Sequence, residues 1–309
     1  MQRLLPPYLT AYLKRRLSEA GVQPVHERIV TDLRYNAETS RAELVLQGWE
    51  KKALQTDFIV LASTHIEPNV TVARRSGLEI DRSNGGISVN GQFEAINGVY
   101  AAGGAASYYD PALGRRRIDR YDHSVNSGLL AGFNMAASAV SAANGRAVDA
   151  HSSNGLANGN GNNNAPPGPH PKTYAHQPMI RSNLKDVDIC IEGVGEIDAR
   201  LRTIGLWVDK SATNDTLMME VGSPIAMPAA SFRRGLVYYL RGDQVVGVLL
   251  WNTSDLLERG RDLIRSQPKI ASIGQLKRQI PLAPDDWLHL EETPGTLHWG
   301  GNEVLTPPF

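Results

Sequence analysis

Residues 98–128 read GVYAAGGAASYYDPALGRRRIDRYDHSVNSG and gather the side chains best placed to do chemistry. A short apolar strand, Val99 to Ala102, runs into Gly103, Gly104 and Ala105, and glycines at such a turn let a ligand come close to the backbone. If this is a cofactor site, the turn at Gly104 offers no acidic side chain to accept a hydrogen bond from a sugar or polyol hydroxyl. Arg115, Arg116, Arg117 and Arg120 form the densest basic cluster. They could grip phosphate, pair with carboxylates such as Glu79 across a subunit interface, or be solvated. His123 follows Asp122 at the start of a candidate helix, where an imidazole could line a pocket, pack or cap. No second His or Cys lies at ligand spacing, so no metal site is expected. No Ser/His/Asp constellation or Walker loop is present, and no catalytic residue is assigned.

The elements that must position these groups can be read from periodicity. Leu9, Leu13 and Leu17 predict a surface helix from about Pro7 to Ala20, stopped by Gly21. The basic amphipathic start invites comparison with a transit peptide, but Glu19 and the smooth passage into strand-like sequence favour the helix. GVQPVHERIV, RAELVLQGW and LQTDFIVLAS read as strands, the last a continuous apolar run of the kind buried on both faces of an α/β sheet. GLEIDRSNGGISVN is hairpin-like, and a helix is expected from about His123 to Ala139, its small residues allowing close packing or ligand approach.

From about 141 to 171 the composition shifts. In NGLANGNGNNN nine of eleven positions are Asn or Gly, and such a segment buries too little apolar surface to offset its ordering entropy, so a disordered linker is expected. Beyond it, VDICIEGVGEI, RTIGLWVD, GLVYYLRGDQ and QVVGVLLWN read as strands, with Arg241-Gly242-Asp243 as a hairpin turn. CIEGVGEID lacks the third glycine of a dinucleotide fingerprint and is read as another hairpin turn. A helix follows from Asp255 to Ser266, with Thr253 and Ser254 as candidate caps. Residues 209–231 are read as a long mobile loop, and the stretch after 270 as a draped arm or disordered tail.

The chain has 309 residues with 32 basic and 32 acidic side chains, so no global field draws it to nucleic acid or to an anionic membrane. The lone Cys190 rules out an internal disulfide framework and cysteine-pair redox chemistry within the chain. No apolar run is long enough to span a bilayer.

The run GLEIDRSNGGISVNGQFEAINGVYAAGGAASYYDPALGRRRIDRYDHSVNSGLLAGFNM, with MQRLLPPYL, FIVLASTHIEPNV, YAHQPMIRSNL and LVYYLRGDQVVGVLLWN, resembles the apoptosis-inducing factor family of mitochondrial FAD- and NADH-binding oxidoreductases. The resemblance implies an α/β partial FAD/NAD(P)-binding domain followed by an α+β carboxy-terminal domain of the reductase dimerisation type. It assigns 1–62 to the end of the NADH domain, 63–140 to the distal half of the FAD domain, 141–171 to the linker, 172–270 to the carboxy-terminal domain and 271–309 to a tail. The fingerprints for FAD and NADH pyrophosphate would lie upstream, so a truncated, catalytically impaired form is expected.

The same resemblance places Gly103, Gly104, Ala105, Arg120, Tyr121 and His123 at the flavin, and Glu79 and Arg115 at a homodimer contact. Departures are Gly104 for the family's aspartate on the ribityl chain, Arg120 and Tyr121 for two histidines, Ala175 and Arg181 for two tryptophans, and Ser88 and Ile96 for two arginines of the dimer contact. A mitochondrial location is implied, with a nuclear one on cell-death signalling. The family's DNA binding is also implied, although zero net charge gives it no support.

Overall fold

The structure is a computed structural model and describes residues 4–25, 27–49, 53–62, 67–152, 170–208, 216–220, 232, 234–270 and 272–282. It divides into two units, Tyr8–Glu67 and a larger one made of Met1–Pro7 with Pro68–Phe309.

In the smaller unit α1 (Pro7–Glu19) forms as the leucine spacing predicts and buries Leu9, Tyr12 and Leu13. Gly21 follows at φ +87°, a left-handed geometry that glycine adopts at least cost and that ends the helix. The strands β1 (Val30–Asn36), β2 (Arg41–Leu46) and β3 (Leu54–Thr56) make an antiparallel sheet in that order. The long buried strand expected at LQTDFIVLAS is realised only as β3; Phe58, Val60 and Leu61 lie beyond it, 89%, 89% and 93% exposed. A strand buried on both faces needs layers packed over both, which these exposed side chains lack, and among the described residues β3 is an edge strand paired only with β2.

The larger unit begins with α2 (Thr71–Arg75) and the expected hairpin-like segment, in which Asp81 N donates to Gly86 O and Ile80 bridges Ile87. Then come β4 (Ile87–Ser88), β5 (Glu94–Ile96), β6 (Val99–Tyr100), β7 (Ala106–Asp110) and β8 (Gly114–Arg116). β5 and β6 pair with each other, while β7 lies between β4, its parallel partner, and β8. The next helix, α3 (Tyr121–Ser152), continues well past the expected end at Ala139. Residues 141–152, expected as linker, are therefore helical, and their alanines favour that state enough to carry the helix through Asn144-Gly145. The Asn/Gly run itself, within 153–169, lies outside the described residues. A Cβ at Gly128 or Gly132 would meet nothing within 4 Å, so these glycines are not there for close backbone packing.

After the linker come β9 (Met179–Leu184), β10 (Ile189–Gly195), β11 (Arg202–Val208), β12 (Thr216–Glu220), β13 (Gly235–Arg241) and β14 (Gln244–Trp251). They form one antiparallel sheet in the order β12-β11-β13-β14-β10-β9. Leu236, Tyr238 and Leu240 of β13 and Val246, Val248 and Leu250 of β14 belong to one buried cluster, which α4 (Leu257–Ser266) joins through Leu263 and Ile264. On the other side Trp207 meets Phe232 and Trp251 edge-on at centroid distances of 4.7 and 6.1 Å. Burying each such side chain is worth roughly 1.5–3 kcal/mol, which explains why this sheet is the main core.

Four expectations change here. The glycines of CIEGVGEID do not make a hairpin, because β13 and β14 lie between β10 and β11 in the sheet. Gly195 instead sits at φ +82°, where a Cβ would be 2.3 Å from Val246 O, so glycine is required for close backbone approach. Thr253 precedes the turn into α4 without a side-chain capping bond, its hydroxyl lying 3.4 Å from Gly235 O instead. The 209–231 segment contributes the edge strand β12, the rest of it falling outside the described residues. Beyond 270, α5 (Ile273–Gln279) forms with Ser272 capping Gln275 N, and Leu276, Ile280 and Leu282 are buried in the main core. Three apolar side chains spaced four and two apart were too few to register as a helical pattern in sequence.

Candidate functional site

The glycine turn is anchored from two directions. Gly103 takes φ +65°, and its N–H donates to Ser127 Oγ at 2.9 Å, while Ser127 Oγ donates to His123 O at 2.6 Å; the opening two turns of α3 thereby fix the loop after β6. Arg117 donates to Gly104 O and to Asn84 O, both at 3.0 Å. Ala105 packs at the edge of the small Val70, Ala73 and Ile87 cluster.

Beneath the turn lies an aromatic cage. The His123 ring stacks on Tyr108 at 5.0 Å and 23°, its Nδ1 lies 2.8 Å from the Tyr174 hydroxyl, and Phe93 meets Tyr174 edge-on at 4.8 Å. All four side chains are buried. Burial pushes His123 down to about 4, so the ring is neutral, and pushes the Tyr108 phenol up to about 12. Burial also raises Tyr174. Both phenols keep their protons and can only be hydrogen-bonding groups. Arg120 falls to about 10 through burial first and the neighbouring Arg116 charge second.

Several polar atoms here have no partner: His123 Nε2, Tyr108 Oη, Arg120 Nη1 and Gln177 Oε1 are all buried and without a hydrogen bond among the described residues. A buried polar atom left unpaired costs about 1–3 kcal/mol, so each is a place where a ligand atom or water would be stabilised. Asp122 is already engaged, accepting from Met179 N at 2.9 Å and facing His176 Nε2 at 3.0 Å. Burial pulls Asp122 upward, but these bonds outweigh it and hold the carboxyl below its ordinary value.

The arginine triplet is spent on the fold. Arg115 donates to Ser107 O at 2.8 Å and to Val89 O at 3.3 Å; Arg116 donates to Gly195 O at 3.1 Å and pairs with Asp110 at 3.5 Å. With Arg117 on the turn, all three tie loops together. Glu79 and Arg115 line one cavity of about 280 Å³, and Ser88 and Ile96 line it too.

Of the sequence-predicted residues, the structure brings Gly103 and His123 together through Ser127, and sets Arg120 within electrostatic reach of Tyr108. Tyr121 does not join them and is 86% exposed. Tyr108, Tyr174 and His176 are not among the expected site residues, and Ser127 is expected only as one of the small residues of the helix. The YAHQ segment carried the signal for Tyr174 and His176, whereas Tyr108 is placed only by the pairing of β7 with β8. Among the described residues no group of three His, Cys, Asp or Glu could hold a metal, and no helix is long and apolar enough to cross a membrane.

Solved structures share the fold. A ferredoxin reductase from Rhodopseudomonas palustris superposes with a TM-score of 0.56 at 15% identity, covering 86% of this chain and 52% of its own. An FAD-dependent pyridine nucleotide-disulphide oxidoreductase from Desulfovibrio vulgaris gives 0.54 at 16%, covering 89% and 57%. Residues 1–128 match the family model described as pyridine nucleotide-disulphide oxidoreductase, and the fold is that of a partial dinucleotide-binding domain with a carboxy-terminal α+β domain. Further matches are to apoptosis-inducing factors. Residues 219–266 match the model described as apoptosis-inducing factor, mitochondrion-associated, C-term. The chain is 29% identical over 282 residues to apoptosis-inducing factor 1, mitochondrial, of Dictyostelium discoideum, covering 91% of this chain and 44% of that protein. It is 28% identical over 306 residues to the putative Drosophila melanogaster counterpart, covering 90% and 36%. The chain thus spans less than half the length of these relatives.

Proposed function

We propose that this chain supplies the distal wall of the FAD site of an apoptosis-inducing-factor-like NADH oxidoreductase, and that taken alone it is catalytically impaired. The observation that carries the reading is the set of unpartnered buried atoms, His123 Nε2, Tyr108 Oη and Arg120 Nη1, set beneath a glycine turn. Such atoms fit a flat heteroaromatic ligand rich in nitrogen and carbonyl groups. FAD, when bound, would accept hydride from NADH. The protein's part is then to admit the ligand at Gly103, Gly104 and Ala105, to hold the neutral His123 through Tyr174, and to place the Arg120 charge nearby. Residues 63–140 are read as this half-domain, 1–62 as the end of an NADH domain, 141–171 as a linker, 172–270 as the carboxy-terminal domain and 271–309 as a tail. A mitochondrial location follows the names of the two curated relatives. The nuclear, DNA-directed role in cell death is carried from the family alone.

The test is titration of the purified chain with FAD, followed by flavin fluorescence, together with NADH oxidation in the presence of excess FAD. Saturable, weak binding without turnover is expected. Absence of any saturable binding would overturn the flavin-wall reading, and stoichiometric yellow cofactor with turnover would overturn the impairment.

A second reading, a homodimerising interaction protein, rests on Glu79 and Arg115, which line one cavity, while Ser88 and Ile96 in the same lining stand in place of two arginines of the family's dimer contact and count against it. Sedimentation that reports a dimer, weakened by Glu79→Arg, would support it. A monomer at all concentrations would rule it out.

A further inference from the structure

We infer that Asp119 supplies the carboxylate that position 104 lacks, acting as the hydroxyl acceptor for the polyol chain of a flavin at the glycine turn; this rests on the flavin-wall reading above. A Cβ built on Gly104 would lie 3.0 Å from Asp119 Oδ1 and 3.3 Å from Asp119 Cγ. The Asp119 carboxylate therefore reaches, from the loop ahead of α3, the edge of the volume that a side chain at 104 would enter. An aspartate at 104 and one at 119 cannot both be accommodated there without displacement, because the contact is tighter than ordinary packing allows and two carboxylates would repel.

Asp119 is also available. Three neighbouring aspartates are engaged: Asp81 by Ser83, Asn84 and Ser107, Asp110 by Ala112, Leu113 and Arg116, and Asp122 by Met179 and His176. Asp119 is exposed and makes no hydrogen bond or ion pair among the described residues. The backbone beneath is held still, since Arg117 fixes Gly104 O and Ser127 fixes Gly103 N. A free acceptor beside a rigid turn is what a row of hydroxyl donors requires, and a charged acceptor makes the stronger bond.

The experiment compares FAD, riboflavin and lumiflavin, the last having the ring system but no polyol, on four full-length chains: wild type, Asp119→Ala, Gly104→Asp and the double variant. Asp119→Ala is expected to weaken FAD and riboflavin at least about tenfold, the size of one lost charge-assisted hydrogen bond, and to leave lumiflavin unchanged. Gly104→Asp alone is expected to lower the melting temperature. The double variant, which moves the carboxylate to 104, should recover both melting temperature and riboflavin affinity. Riboflavin binding indifferent to Asp119→Ala, equal weakening of lumiflavin, or a double variant no better than Asp119→Ala would each overturn the assignment while leaving the flavin wall standing. A wild-type chain that binds none of the three would overturn that reading and the assignment with it.

Discussion

His123 Nδ1 and the Tyr174 hydroxyl lie 2.8 Å apart inside a cage where the imidazole has no exposure to solvent. The pair joins the opening of α3 to the chain that returns after the linker, two segments fifty-one residues apart. Tyr174→Phe keeps the ring packing against Phe93 and Tyr108 but strands His123 Nδ1. A loss of about 1–3 kcal/mol is expected, read as a lower urea midpoint with an unchanged slope.

Acid should unfold the protein through the same histidine. Burial holds His123 at about 4 against an ordinary 6.5, so between these values the unfolded chain binds a proton that the folded chain refuses. Stability therefore falls as pH drops from 6.5 to 4, by on the order of 3 kcal/mol if no other group compensates. Asp122, held below its ordinary value by Met179 N and His176 against the upward pull of burial, adds a further loss as pH falls through its folded value. Denaturation midpoints of wild type and His123→Phe between pH 7 and pH 4 check this, the variant being expected to show a flatter curve down to about pH 4.

On the carboxy-terminal sheet, Arg181 Nε lies 3.3 Å from Glu192 Oε1, with the Glu192 side chain 4% exposed and the Arg181 side chain 61% exposed. Arg181→Ala leaves a buried carboxylate uncompensated and should cost about 1–2 kcal/mol, less than a fully buried pair because water reaches the arginine side. Arg181→Ala with Glu192→Gln should recover part of that loss. Thermal melts of the two variants beside wild type measure it.

Leu276 is fully buried in the main core, and Tyr238 Oη donates to Leu276 O at 3.0 Å. Leu276→Ala should destabilise by about 2–5 kcal/mol and expose α5 to proteolysis before the sheet. Limited proteolysis followed by mass spectrometry reads the order of cleavage.

How much of this was legible depended on whether the signal was local. α1, the Arg241-Gly242-Asp243 turn and the paired strands β13 and β14 were legible because leucine spacing, turn chemistry and apolar runs are properties of a few consecutive residues. The strand at FIVLAS was misjudged because apolar composition predicts burial only when partners exist, and β3 has a single one among the described residues. The cage was not legible: Tyr108, His123 and Tyr174 come from three separated segments, and only folding makes them neighbours. Asp119 was passed over for a similar reason, since its value lies in its distance to Gly104 and not in its own sequence context.

The guanidinium of Arg116 reaches from β8 to Gly195 O at the end of β10, and Gln267, just past α4, donates back to Ala112 O at 2.5 Å. Together with the bond that Met179 N, at the start of β9, donates to Asp122, these stitches hang the proposed cofactor wall from the big sheet as a bracket hangs from a beam. Severing the chain within the Asn/Gly tract should therefore yield two fragments that still co-elute on size-exclusion chromatography.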